Sequence, residues 1–175
     1  MFSDPQKNID QFGIGTGSYV ADFGAGSGFY TFAAARAVGS NGRVYAVDVQ
    51  KDLLTKIKNQ AQLVGVGNVD IVWADIENFG GTKLRDQSID AVIAANIFFQ
   101  LDNKEGACRE LKRILKRTGR VLVVDWASSF GGMGPESSSV FDPSKAKDLF
   151  VKNGFELAKD ITAGAQHYGL VFRKK

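Results

Sequence analysis

One cysteine, Cys108, and one histidine, His167, stand in the 175 residues. That scarcity excludes a disulfide framework and any Cys/His zinc centre. A Ser-His-Asp triad would have to use His167. No apolar run approaches ~18 residues, so no membrane span is expected. The opening MFSDPQKNID lacks a basic segment followed by an apolar one. No secretory signal is read there, and a reducing, cytoplasmic setting is expected. No Gly-x-x-x-x-Gly-Lys-Ser/Thr occurs, which excludes a P-loop. Charge is nearly balanced, with 22 Lys+Arg against 19 Asp+Glu and a net +3. Part of the basic charge lies in Arg173, Lys174 and Lys175, part in Lys112, Arg113, Lys116, Arg117 and Arg120. A solvated helix face and a terminal tail explain those residues as well as a nucleic-acid partner does.

What remains is a chain of one-domain length, 44% hydrophobic, long enough to bury a sizeable core without a staple. Apolar runs alternate with helical spacing throughout. Strands are read at 19–23, 43–47, 69–73, 90–95 and 120–125. Helices are read at 29–38, from Leu53 to Val64, and through Ala107, Cys108, Leu111, Ile114 and Leu115 to a stop at Thr118-Gly119. This order implies an α/β fold with a parallel sheet covered on both faces, in one domain over 1–175. Asp142-Pro143 is a helix start, aspartate capping and proline at the first position. Strands at 155–161 and 168–173 follow, with only Thr162 to His167 between them. Six residues cannot carry a parallel crossover, so the last strand runs antiparallel.

The connection 127–142 is long and rich in glycine and serine. It leaves the carboxyl end of the fifth strand, where ligands bind in such sheets. It reads either as a substrate lid, with Phe130 and Met133 over the acceptor, or as a disordered link.

Chemistry concentrates at the ends of three successive strands. Asp22 precedes a turn, Gly24-Ala25-Gly26-Ser27-Gly28, that opens a helix. Glycine lets backbone approach a ligand, and the helix start offers free N–H groups. Asp48 ends the second strand twenty positions after Gly28, where an acid accepts ribose hydroxyls. Asp75 ends the third, where it can accept from an adenine amino group while the Ile76 N–H donates to the ring. Taken singly, Asp48 and Asp75 also read as helix caps or turn residues. The glycine spacing is Gly-x-Gly-x-Gly, unlike dinucleotide sites. Asp22 would repel a pyrophosphate and suits an ammonium or sulfonium.

Val20 to Gly28 (VADFGAGSG), Val44 to Asp48 (VYAVD), Trp73 to Asp75 (WAD), Asp90 to Asn96 (DAVIAAN) and Gly119 to Asp125 (GRVLVVD) together resemble the successive motifs of class I S-adenosylmethionine-dependent methyltransferases. The nearest flavour is the small, stand-alone UbiE-like group. The resemblance covers nearly the whole chain and implies a doubly wound, Rossmann-like sheet of seven strands in the order 3-2-1-4-5-7-6. It implies S-adenosylmethionine as cofactor and S-adenosylhomocysteine as product. It places the methionine part on Asp22, Gly24, Ala25, Gly26 and Gly28, the ribose on Asp48 beside Val49, and adenine on Asp75 and Ile76. Asn96 falls where the family lines the methyl-transfer site. UbiE-type enzymes carry a longer N-terminal helical cap. Here the segment 1–15 precedes the first strand, which implies a reduced cover. Arsenic methyltransferases share the domain but need several cysteines, and Cys108 stands alone. Asn96-Ile97-Phe98-Phe99 resembles the Asn-Pro-Pro-Tyr of amino-methylating enzymes without either proline, and Phe98 and Phe99 read equally as packing residues.

The catalytic candidates are Asn96, Asp125 and His167. Asp125 ends the fifth strand, placed for a polar substrate or satisfied by backbone N–H groups. His167 is the sole imidazole, read in the loop before the last strand as a base or as a packed histidine. The acceptor expected is a small molecule. An RNA methyltransferase, a non-catalytic S-adenosylmethionine-binding subunit and an NAD-binding oxidoreductase are the alternatives. Neither the accepting atom nor the oligomeric state is written in these motifs.

Overall fold

The computed structural model describes residues 3–129, 131–132 and 134–175. Its frame is a seven-stranded sheet in the order β3-β2-β1-β4-β5-β7-β6. The strands are β1 (Tyr19–Phe23), β2 (Arg43–Asp48), β3 (Val69–Trp73), β4 (Ile89–Ala95), β5 (Leu115–Trp126), β6 (Phe155–Ile161) and β7 (His167–Lys174). The first five run parallel, and β7 lies antiparallel to both β5 and β6. The short 162–166 connection dictates that reversal.

Five helices cover the sheet: α1 (Pro5–Phe12), α2 (Phe29–Val38), α3 (Lys51–Leu63), α4 (Lys104–Ile114) and α5 (Pro143–Lys152). Alternation along each strand sends Val20, Ala91, Ile93, Leu122 and Val124 toward α1 and α2, with Ala46 meeting Leu54 and Ile57 of α3. Ala21, Phe23, Val92, Ala94, Val121 and Val123 go the other way, onto α4 and α5. There Phe150 stacks on Phe172 at 4.4 Å and meets Phe98 edge-on at 5.4 Å.

Three elements differ from the reading of the sequence. The helix α1 was not expected. Asp4 caps it by accepting from the Lys7 N–H at 3.2 Å, Pro5 opens it, and Gly13 closes it in the left-handed region. That is the Asp-Pro signal that also opens α5, so it was present in the sequence. The helix α4 stops at Ile114 rather than running to Thr118. Leu115 sits four positions after Leu111 and mimics the helical face, but it is buried in β5 opposite Ile89. The Lys174 ammonium caps the helix end, donating to the carbonyls of Lys112 and Leu115 at 2.7 Å each. His167 is not in a loop. It is the first residue of β7, buried opposite Trp126.

Candidate functional site

The acids that end β1, β2 and β3 meet at the carboxyl edge of the sheet, around two clefts that share Gly24, Gly26 and Gln100. The first, of about 240 Å³, is bounded by Asp48, Val49, Asp75, Ile76, Ile97 and Leu101. Asp48 is nearly buried, and each carboxylate oxygen accepts one backbone N–H: Oδ2 from Gly26 and Oδ1 from Gln50, both at 2.9 Å. Those bonds fix its rotamer and leave lone pairs directed at the cleft. Asp75 accepts from the Glu77 N–H at 2.9 Å and from Asn78 Nδ2 at 2.8 Å. Val49, 59% exposed, lies at the rim.

The second cleft, of about 300 Å³, is lined by Asp22, Gly24, Ala25, Gly26, Asn96 and Tyr30, with Ser3 and Pro5 closing one side. Ser3 and the first turn of α1 therefore supply the cover that segment 1–15 was expected to give only in reduced form. Asn8 Nδ2 ties the helix down, donating to Tyr30 Oη at 2.7 Å and to Ser3 Oγ at 2.9 Å. Asp22 is 1% exposed. Its Oδ2 accepts from Thr31 Oγ1 at 2.6 Å. Burial, with some repulsion from Asp48, pushes its pKa up to about 7. A buried carboxyl on a cleft with no cation among its described lining residues suits a cationic ligand.

The glycines of the turn have two different jobs. A Cβ on Gly24 would lie 2.6 Å from Ile97, and one on Gly28 would lie 2.9 Å from Ile57. Both are glycine so that neighbours can pack. At Gly26 the nearest atom would be 3.8 Å away, with φ +54°. Its face is open to the cleft, which is what a ligand-facing glycine requires. Gly28 caps α2 and lines neither cleft.

Asn96 ends β4 in the left-handed region at φ 55°, a conformation asparagine tolerates. Its N–H donates to the Val124 carbonyl at 2.8 Å, and its carbonyl accepts from Gln100 Nε2 at 2.8 Å. Among the described residues, the buried side-chain atoms with no hydrogen-bond partner are Asn96 Oδ1 and both ring nitrogens of His167. Asp125 has no exposed surface. Its oxygens accept from the N–H groups of Trp126 at 2.8 Å and Phe99 at 3.2 Å. It thus braces the 3-10 turn Phe98–Gln100 against β5, and burial lifts its pKa to about 6. Cys108 is buried on α4, its thiol pushed up to about 12, which makes it inert. The sequence reading missed Gln100, Leu101, Tyr30 and the Ser3–Pro5 wall. Only the last had a local signal, the Asp4-Pro5 cap.

The described residues of 127–142 are anchored at two points. Gly134, at φ +80°, lies so near Trp126 that a Cβ would stand 2.7 Å from the indole. Pro135 is buried, and Tyr168 Oη donates to the Phe141 carbonyl at 2.7 Å. Phe130 and Met133, expected over the acceptor, lie outside the described residues.

Residues 14–169 match the family model described as a methyltransferase domain. The chain is 32% identical over 156 residues to the ubiquinone/menaquinone biosynthesis C-methyltransferase UbiE of Hahella chejuensis, covering 89% of this chain and 58% of that protein. It is 30% identical over 167 residues to the same-named protein of Cronobacter sakazakii, covering 91% and 61%. The chain therefore spans less than two thirds of the length of these curated relatives. A solved S-adenosylmethionine-dependent methyltransferase from Aquifex aeolicus superposes with a TM-score of 0.90 at 25% identity, covering 99% of this chain and 91% of that one.

Proposed function

Because the chain belongs to the methyltransferase domain family, with S-adenosylmethionine as its cofactor, we propose that it transfers the sulfonium methyl to a small, neutral acceptor. The observation that carries this reading is the meeting of Asp22, Asp48 and Asp75 on adjacent strand ends, around clefts faced by the open side of Gly26. Asp48 holds the ribose hydroxyls. Asp75 and the Ile76 N–H hold adenine, with Val49 and Leu101 against the ring. Asp22 takes the ammonium of the methionine part, and Asn96 Oδ1 gains the partner it lacks. Bound there, the cofactor supplies a methyl that is already activated. The protein's share is to align donor and acceptor and to exclude water. Asp125 is a positioning residue, acting through Phe99 and the 96–100 segment. The 127–142 segment, seated on Trp126 through Gly134, covers the acceptor. The names of the UbiE relatives point to a ring carbon as the accepting atom.

Nothing favours the other readings. Asp22 beside the glycine turn is unsuited to a pyrophosphate, as an NAD site would need. Calorimetry with S-adenosylhomocysteine tests the cofactor assignment. Asp48→Ala is expected to weaken binding by about 1.5–3 kcal/mol, the worth of hydrogen bonds to a charged group. Unchanged affinity with an intact fold would remove Asp48 from the site.

A further inference from the structure

His167 is a buried imidazole with two unpartnered nitrogens at 8% exposure. Buried polar groups are rarely left so, and an orphan in a functional region awaits a partner. Its place in the fold says which partner. In the antiparallel ladder Trp126 pairs with His167, so both side chains share one face. Val124, two positions before Trp126, packs toward α1 and α2, as does Val20, two positions before Asp22. Period-two alternation therefore puts Asp22, Trp126 and His167 on the same face of the sheet. Asp22 and Trp126 stand at the carboxyl ends of β1 and β5 and His167 opens the antiparallel β7, with β4 and Asn96 between β1 and β5. At roughly 4.8 Å per strand, His167 stands about 10 Å from β4 and about 14 Å from β1.

The geometry points to His167 as the group that binds and deprotonates an ionisable hydroxyl on a neutral acceptor lying over the ends of β4 and β5. The inference rests on the methyltransferase reading and adds a residue to it. The imidazole ring lies 4.4 Å from the Trp126 ring, tilted by 38°, so the indole fixes its orientation without taking a hydrogen bond. The indole is itself held from the loop by Gly134. Burial alone, with no charged neighbour contributing, holds the imidazole pKa below its ordinary value, so a lone pair is free at neutral pH. The neighbouring acid Asp125 belongs to the other face of the sheet, where its carboxylate serves Phe99 and Trp126 N–H groups. In the step, the acceptor's O–H proton passes to the free imidazole nitrogen. The bond that forms joins the oxygen, or a ring carbon conjugated with it, to the methyl carbon. The bond that breaks is C–S, its electron pair remaining on sulfur. At carbon, the displaced ring proton returns to the oxygen. The imidazolium then releases its proton to water.

The chain has a single histidine, so its imidazole resonances are unambiguous. The test is ¹H–¹⁵N NMR of the full chain saturated with S-adenosylhomocysteine and titrated to millimolar 1,4-naphthalenediol kept reduced. The expected result is a shift of the unprotonated imidazole nitrogen that saturates with the diol. Imidazole resonances that stay unmoved overturn the inference. So does a His167→Gln variant that methylates the diol at the wild-type rate, since loss of a general base is expected to reduce kcat/KM by about 100-fold or more. Should the imidazole shift while the wild type transfers no methyl to the diol, the ring-carbon reading fails and the His167 contact stands.

Discussion

Asp22 is buried with a single side-chain hydrogen bond, from Thr31, and its pKa stands near 7. Its folded pKa is above the ordinary value of 3.8, so the native state binds the extra proton. The contribution of Asp22 to stability is therefore greatest below about pH 4 and is lost as pH rises from about 4 to 7, the reverse of a salt-bridged aspartate. The same ionisation is what a cationic ligand needs. Affinity for S-adenosylmethionine is expected to rise between pH 6 and 8, with proton release visible as a buffer-dependent enthalpy in calorimetry. Asp22→Asn keeps the Thr31 hydrogen bond and removes the buried charge. It is expected to raise the Tm at pH 8 while weakening cofactor binding, a trade of stability against function. A variant that binds as well as wild type would take Asp22 out of the site. The turn separates in the same way by residue. Gly26→Val is expected to abolish binding of S-adenosylhomocysteine while the sheet's circular dichroism is retained, because its side chain enters open cleft, its φ of +54° costing some Tm through backbone strain alone. Gly24→Val meets Ile97 and is expected to lower the Tm as well. Normal binding by Gly26→Val would make the turn merely structural.

The elements that were legible in the sequence are those whose local pattern agrees with their burial. The strand β1 is apolar on both faces and ends at glycine. The reversal of β7 followed from a connection too short for anything else. Leu115 was misread because its spacing from Leu111 suits either a helix or a strand entering the core, and only the ladder with Ile89 decides. Asp22, Asp48 and Asp75 were legible because strand ends converge in this architecture. Tyr30, Gln100 and Leu101 were not, because they reach the clefts through helix and turn geometry that no spacing rule encodes. The segment 127–142 now has a described anchor, Gly134 against Trp126. Amide exchange across 134–142 is expected to slow when S-adenosylhomocysteine and 1,4-naphthalenediol are both present, since lids are drawn from weakly stable segments and are ordered by ligands. Gly134→Ala, strained at φ +80° and crowding the indole, is expected to remove that protection while leaving cofactor affinity unchanged. Equal exchange with and without ligands would make the segment a plain connection.

Across the whole molecule, three of the basic residues that drew attention in the sequence are paired at the edge opposite the site. The Arg113 guanidinium meets Asp86 at 2.5 Å and Glu110 at 2.7 Å. Lys116 meets Asp90 at 2.7 Å. The Arg120 guanidinium donates to the carbonyls of Phe12 at 3.0 Å and Gly13 at 2.7 Å, fastening the end of α1 to β5. All three lie near the amino ends of β4 and β5. At the carboxyl edge the second cleft is lined by Asp22 with apolar and neutral residues, and by no lysine or arginine among the described residues. A phosphate entering that cleft would meet the Asp22 carboxyl and no cation among the described residues. Affinity for a nucleic acid making 6–10 phosphate contacts falls by ~10³–10⁵ between 50 and 200 mM salt, because each contact releases counterions. A neutral acceptor has no such dependence. Methyl transfer to 1,4-naphthalenediol is therefore expected to change kcat/KM by less than about twofold from 50 to 200 mM KCl, exposed charges being already screened over about a Debye length. Transfer to a structured RNA under the same conditions is expected to be undetectable. RNA methylation that collapses with added salt would mean that cations outside the clefts recruit the acceptor, and the small-molecule reading would give way to an RNA one.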